Sequence, residues 1–384
     1  MSDNSDSDDC VDQYFTSYGD LEVHKLMLED EPRVTIYRNA ILNNKAYFRD
    51  KTVLDVGCGT GILSVFCAQA GAKKVYAVEA SNIADIAKDV VKENKWEHVI
   101  EVINERVEDI KIPKVDAIVS EWMGFYLLHE GMLDSVLFAR DNFLKEGGEL
   151  FPESATIYVA PCSIPSLYND WDNVQGVKMK SFAKELRLTK KGQPEILDVK
   201  PEELLGEEVA ICWVNVREDT TADLNSFKLR HVVGASKNGN YQGLCVWFEC
   251  NFPQLPNGTG DGRVVLDTSP KSTPTHWRQT VIVLPHEQDV EQGEPIAFEL
   301  KMTRDPTSSR RYNIQLSMLS PDNIDHPLPC SCHYTKCILT KAVLAQHAEA
   351  ALSEHNNKDE KKDEPIKDEI LVDEPIDDDG DDDS

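Results

Sequence analysis

Two glutamates, Glu121 and Glu130, stand near the ends of the stretch S-E-W-M-G-F-Y-L-L-H-E, which is otherwise almost wholly apolar and aromatic. Glutamate is among the residues least often buried without a partner, because a charge that leaves water must be paired or hydrogen-bonded. The pair is therefore either exposed to solvent or part of a pocket that receives a cation. The elements around it decide between these two interpretations.

A glycine-rich turn, D-V-G-C-G-T-G from Asp55 to Gly61, is a second candidate site. It lies between a strand-like run, K-T-V-L, and a helix-like run, I-L-S-V-F-C-A-Q-A. Gly57 and Gly59 permit a tight turn, and the free amides at the start of the helix favour an anion. Glu79 ends the next strand-like run, at a spacing of about 20 residues that allows a carboxylate to accept both ribose hydroxyls.

The glycine spacing narrows the choice of nucleotide. The pattern G-x-G-x-G differs from the dinucleotide pattern G-x-G-x-x-G, and no phosphate-binding lysine follows it. It favours S-adenosylmethionine, which offers a carboxylate where NAD and ATP offer phosphates, and it leaves a dehydrogenase as an alternative. Glu108 follows the third strand-like run and would accept a hydrogen bond from the adenine amino group or be a solvated turn residue.

Two different patterns of apolar runs divide the chain into two regions. Apolar runs alternate with helix-like segments over residues 53–120, which predicts a Rossmann-like α/β domain with a parallel sheet. After Pro152, strand-like runs separated by turn-rich gaps predict an antiparallel sandwich or barrel. Residues 164–199 fit neither pattern, and we expect them to form an excursion from the barrel.

Composition and charge restrict the possible partners and compartment. The chain has 384 residues and a formal net charge of −28, much of it at its two ends. Such acidity disfavours nucleic acid and favours basic proteins, or it only aids solubility. No apolar run reaches the length of a membrane helix, and the acidic start is unlike a secretory signal. The ten cysteines then predict reduced thiols in a cytoplasmic and nuclear protein.

Four motifs taken together make the chain similar to a known family. They are Y-F-T-S-Y at 14–18, V-L-D-V-G-C-G-T-G at 53–61, S-E-W-M-G at 120–124 with Glu130 shortly after it, and T-H-W at 275–277. The chain resembles the protein arginine N-methyltransferases, and among them the type I enzymes, which form mono- and asymmetric dimethylarginine. The resemblance implies S-adenosylmethionine as the methyl donor and histone tails or Arg/Gly-rich proteins as substrates.

Arginine also suits the two glutamates on physical grounds. Its planar guanidinium can be held by carboxylates through bidentate, charge-assisted hydrogen bonds that a lysine ammonium cannot form. The apolar residues between Glu121 and Glu130 would exclude water and strengthen this clamp. The clamp would aim one guanidinium nitrogen at the methyl group and hold the positive charge on the other.

The resemblance implies roles for single residues. The cofactor contacts that it implies are Tyr14, Phe15, His24, Arg33, Asp55, Gly57, Gly59, Glu79 and Glu108. The catalytic pocket that it implies contains Tyr18, Met27, Asp30, Glu121, Glu130, Met132 and His276. Arg33 is expected to brace Glu121. The pair of Asp30 and His276 either relays the proton released by methylation or pins the barrel to the lid.

The patterns of apolar runs and the resemblance to the methyltransferase family together predict the organisation of the chain. It comprises a disordered acidic N-terminus at 1–13, a helical lid at 14–50, the cofactor domain at 51–151, the barrel at 152–345 and an acidic disordered tail at 346–384. Within the barrel domain, residues 164–199 correspond to a dimerisation arm, with Tyr168 and Trp171 as anchors on a second copy of the chain. We therefore predict a ring-shaped homodimer.

Three features depart from the family pattern or suggest another site. Phe125 stands where the family usually has tyrosine, and Pro32 precedes Arg33 where a helix-compatible residue is commoner. The segment C-x-C-H-x₃-C, from Cys330 to Cys337 with His333, contains metal-ligand types. We predict no metal there, because the spacing lacks the usual pairing and the segment is predicted to be a terminal strand.

Two alternatives come from other functional classes. A scaffold that kept the fold while its catalysis weakened would use the acidic ends to bind basic partners; the intact Glu121 and Glu130 argue against it, whereas Phe125 leaves it open. A nucleic-acid methyltransferase is opposed by the acidic surface and by the absence of an N/D-P-P-Y motif.

Overall fold

The computed structural model describes residues 20–190, 194–259 and 262–360. The predicted acidic N-terminus and most of the predicted acidic tail lie outside these residues. So do Tyr14, Phe15 and Tyr18 of the first motif. Among the described residues, no helix is both long and apolar enough to cross a bilayer.

The first domain is built on a five-stranded parallel sheet in the order β3-β2-β1-β4-β5. Its strands are β1 (Thr52–Val56), β2 (Lys74–Val78), β3 (Ile100–Ile103), β4 (Val115–Ser120) and β5 (Leu144–Phe151). The helices between them are α4 (Ile62–Gln69), α5 (Ala84–Glu93) and α6 (Met132–Phe143). The Rossmann-like prediction is confirmed, because the apolar runs of a parallel sheet are buried by helices on both faces.

Three helices precede this sheet, namely α1 (Leu21–Glu29), α2 (Glu31–Leu42) and α3 (Lys45–Phe48). The Asp20 carboxylate caps the first of them, and the Asp30 carboxylate accepts the Arg33 backbone N–H at the start of the second. Pro32 lies in the first turn of α2. Backbone N–H groups there have no acceptor within the helix, so a proline, which lacks this group, breaks no helical hydrogen bond. The proline is therefore accommodated by a break between two helices at Asp30.

The second domain consists of two antiparallel sheets, in the orders β7-β12-β10-β6-β8 and β14-β13-β9, with β11 paired to β10. Its strands are β6 (Ser154–Cys162), β7 (Pro194–Leu197), β8 (Val209–Asn215), β9 (Ser226–Gly234), β10 (Gly239–Asn251), β11 (Val265–Asp267), β12 (Gln279–Val290), β13 (Pro295–Asp305) and β14 (Ser308–Met318). The predicted antiparallel domain is confirmed, and this two-sheet domain is called the barrel from here on. Buried side chains of both sheets and of the parallel sheet form one continuous apolar core.

The predicted excursion leaves the barrel after β6 as two short helices, α7 (Pro165–Tyr168) and α8 (Lys180–Thr189). Tyr168 is buried within its own chain, where its hydroxyl donates to the Leu284 carbonyl and the Arg187 guanidinium covers its ring. It therefore anchors the arm to the barrel and does not present a side chain to a partner. Trp171 packs its ring on Phe182, with centroids 4.9 Å apart.

The C-terminal segment differs from its prediction. Residues 324–334 form loop and bends and not a strand, and a long helix, α9 (Thr335–Glu360), follows them. The predicted tail boundary at residue 346 thus falls inside a helix. The reason is composition, because the residues up to about 354 are rich in Ala, Leu, Lys and Glu, which are strong helix formers, and the dense acidic run begins only later.

Asn44 joins the two domains. Its buried side chain donates to the Ala40 carbonyl at 2.8 Å and to the Pro253 carbonyl at 3.1 Å, and it accepts the Leu255 N–H at 3.2 Å. The amide therefore holds the end of the helical segment against a loop of the barrel.

We expect Asn44→Ala to lower the free energy of unfolding by about 2 kcal/mol or more, because it leaves buried backbone groups without partners. The matched control is Asn94→Ala, which removes an exposed amide bonded to one carbonyl of its own helix and should cost less than about 0.5 kcal/mol. Urea unfolding measures both changes. Equal losses in the two variants would contradict a junction role for Asn44.

Candidate functional site

A cavity lies at the carboxyl ends of the parallel strands, where ligands bind in open α/β sheets. It measures about 1080 Å³, including solvent at its mouth. Most of the residues that the sequence predicted for the site line it. They are His24, Met27, Arg33, Gly57, Gly59, Glu79, Glu108, Glu121, Glu130 and Met132. Asp30, Asp55 and His276 lie outside its lining.

The glycine turn forms the floor of this cavity. Gly57 and Gly59 adopt φ values of 69° and 53°, a region that other residues rarely visit. A Cβ on Gly57 would lie 2.2 Å from Met132 Cε, and one on Gly59 would lie 3.3 Å from His24 Cε1. The turn therefore leaves room for a ligand only because these positions carry no side chain.

Glu79 and Glu108 stand on the wall above the turn. The two Glu79 oxygens accept the backbone N–H groups of Gly59 and Ser81, each at 2.9 Å. Each oxygen keeps a lone pair free, so the fixed carboxylate can accept hydroxyl groups. Glu108 accepts the Ser135 hydroxyl at 2.7 Å and lies 3.5 Å from Arg106 Nε.

Asp55 lies beneath the turn and not in the cavity. It is fully buried, one of its oxygens accepts the Ser64 hydroxyl at 2.6 Å, and the other has no hydrogen-bond partner. Burial raises the pKa of Asp55 to about 7. The hydrogen bond from Ser64 opposes this rise, and the negative charge of Glu79 adds to it. Asp55 therefore supports the turn from within the core and does not line the cavity.

Glu121 is held by Arg33. Its Oε2 accepts Arg33 Nε at 3.0 Å and Nη2 at 2.8 Å, and its Oε1 accepts the Met123 N–H at 3.2 Å. Arg33 Nη1 donates to the Met27 carbonyl at 3.0 Å. Both side chains are nearly buried. The expected brace between Arg33 and Glu121 is thus present in the structure.

The chain between the two glutamates turns back on itself, so that both line the same cavity. Gly124 and Leu127 form an isolated bridge, and a Cβ on Gly124 would lie 2.3 Å from the His129 carbonyl. Glu130 has a φ of 75°, held by hydrogen bonds that its own N–H and carbonyl form with Arg310 of β14. Apart from Phe125, the apolar side chains of the turn are buried, and the two carboxylates at its ends belong to one pocket.

The T-H-W motif connects three parts of the molecule. Trp277 Nε1 donates to the Met123 carbonyl at 2.9 Å, inside the turn between the glutamates. His276 Nδ1 lies 2.6 Å from Asp30 Oδ2, which also accepts the His276 backbone N–H at 2.9 Å. Burial acts to raise the pKa of Asp30, but the hydrogen bonds from His276 and Arg33 outweigh it and lower that pKa. The motif thereby fixes the lid to the barrel.

Several lining residues were not predicted from the sequence. Arg106, Ser135 and Arg310 also reach the cavity. Arg310 comes from β14, far along the chain, and its only sequence signal is the pair Arg310-Arg311 in a strand of an acidic protein. Phe125 lies outside the lining and is partly exposed, while the hydroxyl of Tyr126 accepts the Tyr312 N–H and not a ligand.

The charges of the lining are unbalanced. Five carboxylates face three guanidinium groups, which gives a formal charge of −2 with histidine neutral. The acids are Glu79, Glu105, Glu108, Glu121 and Glu130, and the bases are Arg33, Arg106 and Arg310. A cavity of this kind favours cationic ligands.

The raised pKa of Asp55 gives a pH-dependent stability. An unfolded aspartate has a pKa of about 3.9, so between about pH 4 and pH 7 only the folded state keeps the proton. The contribution of protonated Asp55 to the free energy of unfolding is fully present below the pKa of the unfolded state, about 3.9, and is lost as the pH rises to about 7. Asp55→Asn removes the titration, so wild type should lose stability relative to this variant by up to about 1.4 kcal/mol per pH unit.

Urea unfolding of both proteins between pH 5 and 8 measures this difference. We expect it to fall across the acidic part of the range and to level off above pH 7. A difference that is constant over the whole range would show that Asp55 is ionised in the folded protein.

Comparisons with known proteins agree with this architecture. Residues 153–320 match the arginine methyltransferase oligomerization subdomain, and residues 41–129 match the ribosomal protein L11 methyltransferase family. Protein arginine N-methyltransferase 6 of Xenopus tropicalis is 38% identical over 319 residues, which cover 80% of this chain and 91% of that protein. A probable protein arginine N-methyltransferase 6.1 of Oryza sativa subsp. japonica is 37% identical, covering 79% of this chain and 84% of that protein.

A solved structure extends the likeness to three dimensions. A chain of the Trypanosoma brucei PRMT1 enzyme-prozyme heterotetrameric complex with AdoHcy has a TM-score of 0.70 and 37% identity, over 81% of this chain and 98% of that one. A match over 81% of this chain is longer than either domain alone. With its glycine turn, its two glutamates and its T-H-W motif in the positions described, this chain belongs to the protein arginine N-methyltransferase family.

Proposed function

We propose that this chain transfers methyl groups from S-adenosylmethionine to guanidino nitrogens of arginine in basic proteins, and that it forms mono- and asymmetric dimethylarginine. The observation that supports this best is the placement of Glu121 and Glu130 in one cavity with the glycine turn. Histone tails and Arg/Gly-rich proteins are the substrate classes that we propose, because the chain is strongly acidic.

The residues present fit the cofactor. The floor at Gly57 and Gly59 is a cradle that a Cβ would fill, and Glu79 stands above it with both oxygens fixed. Glu79 would hold the ribose hydroxyls, and Glu108 would accept the adenine amino group. Arg33 and His24 also line the cavity, and the guanidinium of Arg33 would suit the carboxylate of the amino-acid part of the cofactor.

When bound, S-adenosylmethionine supplies an electrophilic methyl group on a sulfonium centre. Its net charge of about +1, together with that of one arginine side chain, would balance the formal −2 of the cavity lining. The charge of the cavity lining therefore attracts both ligands. Its contribution is mainly positioning and electrostatic stabilisation.

The two glutamates have different parts in the arginine clamp. Glu121 already shares one oxygen with Arg33 and the other with the Met123 N–H, so it is a rigid acceptor whose direction is fixed. Glu130 carries a partly exposed carboxylate on a backbone that Arg310 holds in place. Glu121 would orient the guanidinium, and Glu130 would hold positive charge on the nitrogen that does not react.

The proton released by methylation needs an acceptor or a path to solvent. Asp30 and His276 form a short contact behind Arg33, outside the cavity lining. We propose that this pair chiefly positions the lid, since Asp30 also caps α2 and accepts the His276 backbone N–H. Met27 and Met132 line the cavity with flexible apolar side chains, which leave room for a second methyl group.

We expect Glu130→Gln to lower the methylation rate by about a hundredfold or more, because it removes the charge that is complementary to the guanidinium. Cofactor binding should change little, since the groups expected to hold the cofactor are the glycine turn, Glu79, Glu108 and Arg33, and not Glu130. Glu146→Gln, which changes an exposed glutamate, is the matched control and should retain full activity. The measurements are mass spectrometry of an Arg/Gly-rich peptide and of a histone tail, and calorimetric titration with S-adenosylhomocysteine.

Two outcomes would overturn parts of this proposal. If wild type binds the cofactor but methylates neither substrate, the scaffold function becomes the better explanation. If two methyl groups appear on different nitrogens of one arginine, the assignment to asymmetric dimethylarginine is wrong. A Glu130→Gln variant as active as Glu146→Gln would remove the clamp from the mechanism.

The arm supports a homodimer as part of the proposed function. Its exposed apolar side chains are Val177, Met179, Phe182 and Leu188. Helix α1 exposes Leu21, Leu26 and Leu28, of which Leu28 also lines the cavity. We propose that the arm of one copy covers α1 of the other, so that dimer formation helps to order the cofactor site.

Phe182→Asp should convert a dimer into monomers and weaken cofactor binding, because it places a charge in an apolar contact. Leu339→Asp, at an exposed apolar position of α9, should leave the dimer intact. Sedimentation at micromolar concentration measures the assembly. A wild-type protein that sediments as a monomer would contradict the proposed dimer.

A further inference from the structure

Four metal-ligand side chains meet at the end of the barrel, between β14 and α9. They are His326, Cys330, Cys332 and Cys337, and their nearest ligand atoms all lie within 4.8 Å of one another. None of these four residues lines the cavity at the parallel sheet. His333, the histidine of the predicted segment, is exposed and does not belong to this cluster.

The distances among the four atoms are those of ligands around one small ion. His326 Nδ1 lies 3.5 Å from Cys330 Sγ, 3.2 Å from Cys332 Sγ and 3.3 Å from Cys337 Sγ. Cys330 Sγ and Cys332 Sγ are 3.4 Å apart. A tetrahedral zinc site requires about 3.5 Å between sulfur and nitrogen and about 3.8 Å between sulfurs, given its usual bond lengths. These four distances would satisfy both requirements after displacements of a few tenths of an ångström. Cys337 Sγ, which lies within 4.8 Å of the other two sulfurs, would have to approach them by up to about 1 Å.

The histidine is oriented for coordination. Its Nε2 lies 3.0 Å from the Pro321 carbonyl, which can only accept a hydrogen bond, so Nε2 carries the proton. Nδ1 then has a free lone pair, and it points at the three sulfurs. A backbone carbonyl that fixes the tautomer of a ligating histidine is a common outer partner in zinc sites.

The cluster is enclosed and firmly attached to the barrel. The three cysteines are at most 3% exposed, and the ring of Tyr334 stacks on His326. The Ser331 hydroxyl accepts the Gly234 N–H at 2.9 Å, and a Cβ on Gly234 would lie 2.5 Å from the Ser331 backbone. The segment can therefore lie against β9 only because residue 234 is a glycine.

We propose that His326, Cys330, Cys332 and Cys337 bind one Zn²⁺ in a structural site. Three thiolates and one imidazole fill a tetrahedral zinc shell, which leaves no position for a substrate. Binding would release up to three thiol protons to solvent and leave a site with a formal charge of −1. The ion would tie the first turn of α9, through Cys337, to the loop that follows the barrel.

This proposal departs from the sequence prediction of no metal. The ligand order is H-x₃-C-x-C-x₄-C, which lacks the paired spacing of common zinc motifs. The four ligand atoms meet only because the loop before Cys330 turns back and brings His326 to the three sulfurs. A segment in extended conformation, as predicted, could not form the cluster.

The first test is the metal content of the full chain, purified without chelators and without a metal-binding tag, by inductively coupled plasma mass spectrometry. We expect about one zinc per chain. His326→Ala and Cys337→Ser should lose most of it, because three ligands bind zinc far more weakly than four. His333→Ala is the matched control, since it removes the neighbouring histidine outside the cluster, and it should keep its zinc.

A second measurement does not depend on any variant. The protein is unfolded, stripped of metal under reducing conditions and refolded with Co²⁺, which should give the visible bands of a tetrahedral ion and sulfur-to-cobalt charge-transfer absorption. His326→Cys should retain the metal and shift these bands, as a fourth thiolate would. Wild type without stoichiometric zinc and without the cobalt spectrum, or zinc that is lost equally from His333→Ala, would overturn the proposal.

The stability of α9 gives an independent readout. Metal removal should increase hydrogen exchange in the first turns of α9 and in the loop after β14, while the parallel sheet keeps its protection. Unchanged exchange in a metal-free sample would overturn the structural role of the ion. Cofactor binding should be unaffected, which separates this site from the proposed methyltransferase function.

Discussion

The buried ion pair between Arg33 and Glu121 is the interaction on which the geometry of the site depends. Two charges removed from water are stable together only when hydrogen bonds satisfy both of them. Here the guanidinium donates twice to one carboxylate oxygen, Met123 supplies a donor for the other, and Met27 accepts a further N–H. The pair joins the lid helix α2 to the turn that follows β4, so the lid and the arginine pocket share one fixed geometry.

The barrel contributes to this site by holding it, more than by lining it. Trp277 bonds to the turn between the glutamates, and His276 bonds to Asp30 at the start of α2. Arg310 of β14 fixes the backbone of Glu130. Each contact joins residues far apart in the chain, so the carboxylates keep their positions only when both domains are folded together. The apolar core that the cofactor domain and the barrel share holds them together in the same way.

The C-terminal segment is attached by contacts of a similar kind. Gly234 and Gly293 allow it to approach the barrel backbone, where a Cβ would meet Ser331 and His333. His333 N–H donates to the Gly293 carbonyl at 2.7 Å. The helix α9 that follows exposes Ile338, Leu339, Val343 and Leu344. Its direction is thus determined by the short segment that precedes it.

The sequence alone was sufficient for features that depend on local rules. The alternation of apolar runs predicts the parallel sheet, because strand and helix periods differ and both faces of such a sheet are buried. Turn chemistry and spacing identify Gly57 and Gly59 and the carboxylate of Glu79. The two glutamates are recognisable because an apolar turn between paired acids is unusual in any sequence.

Only the tertiary structure decided which side chains meet. Asp55 begins the glycine motif in the sequence but lies at the end of β1 with its side chain in the core, and Tyr168 lies in the arm but anchors it to its own barrel. Arg310 reaches the site from a distant strand, and His326 takes the place that local spacing had given to His333. The physical reason is the same in each case. Sequence patterns report backbone periodicity and turn preference, whereas the partners of a buried polar side chain depend on how distant segments pack.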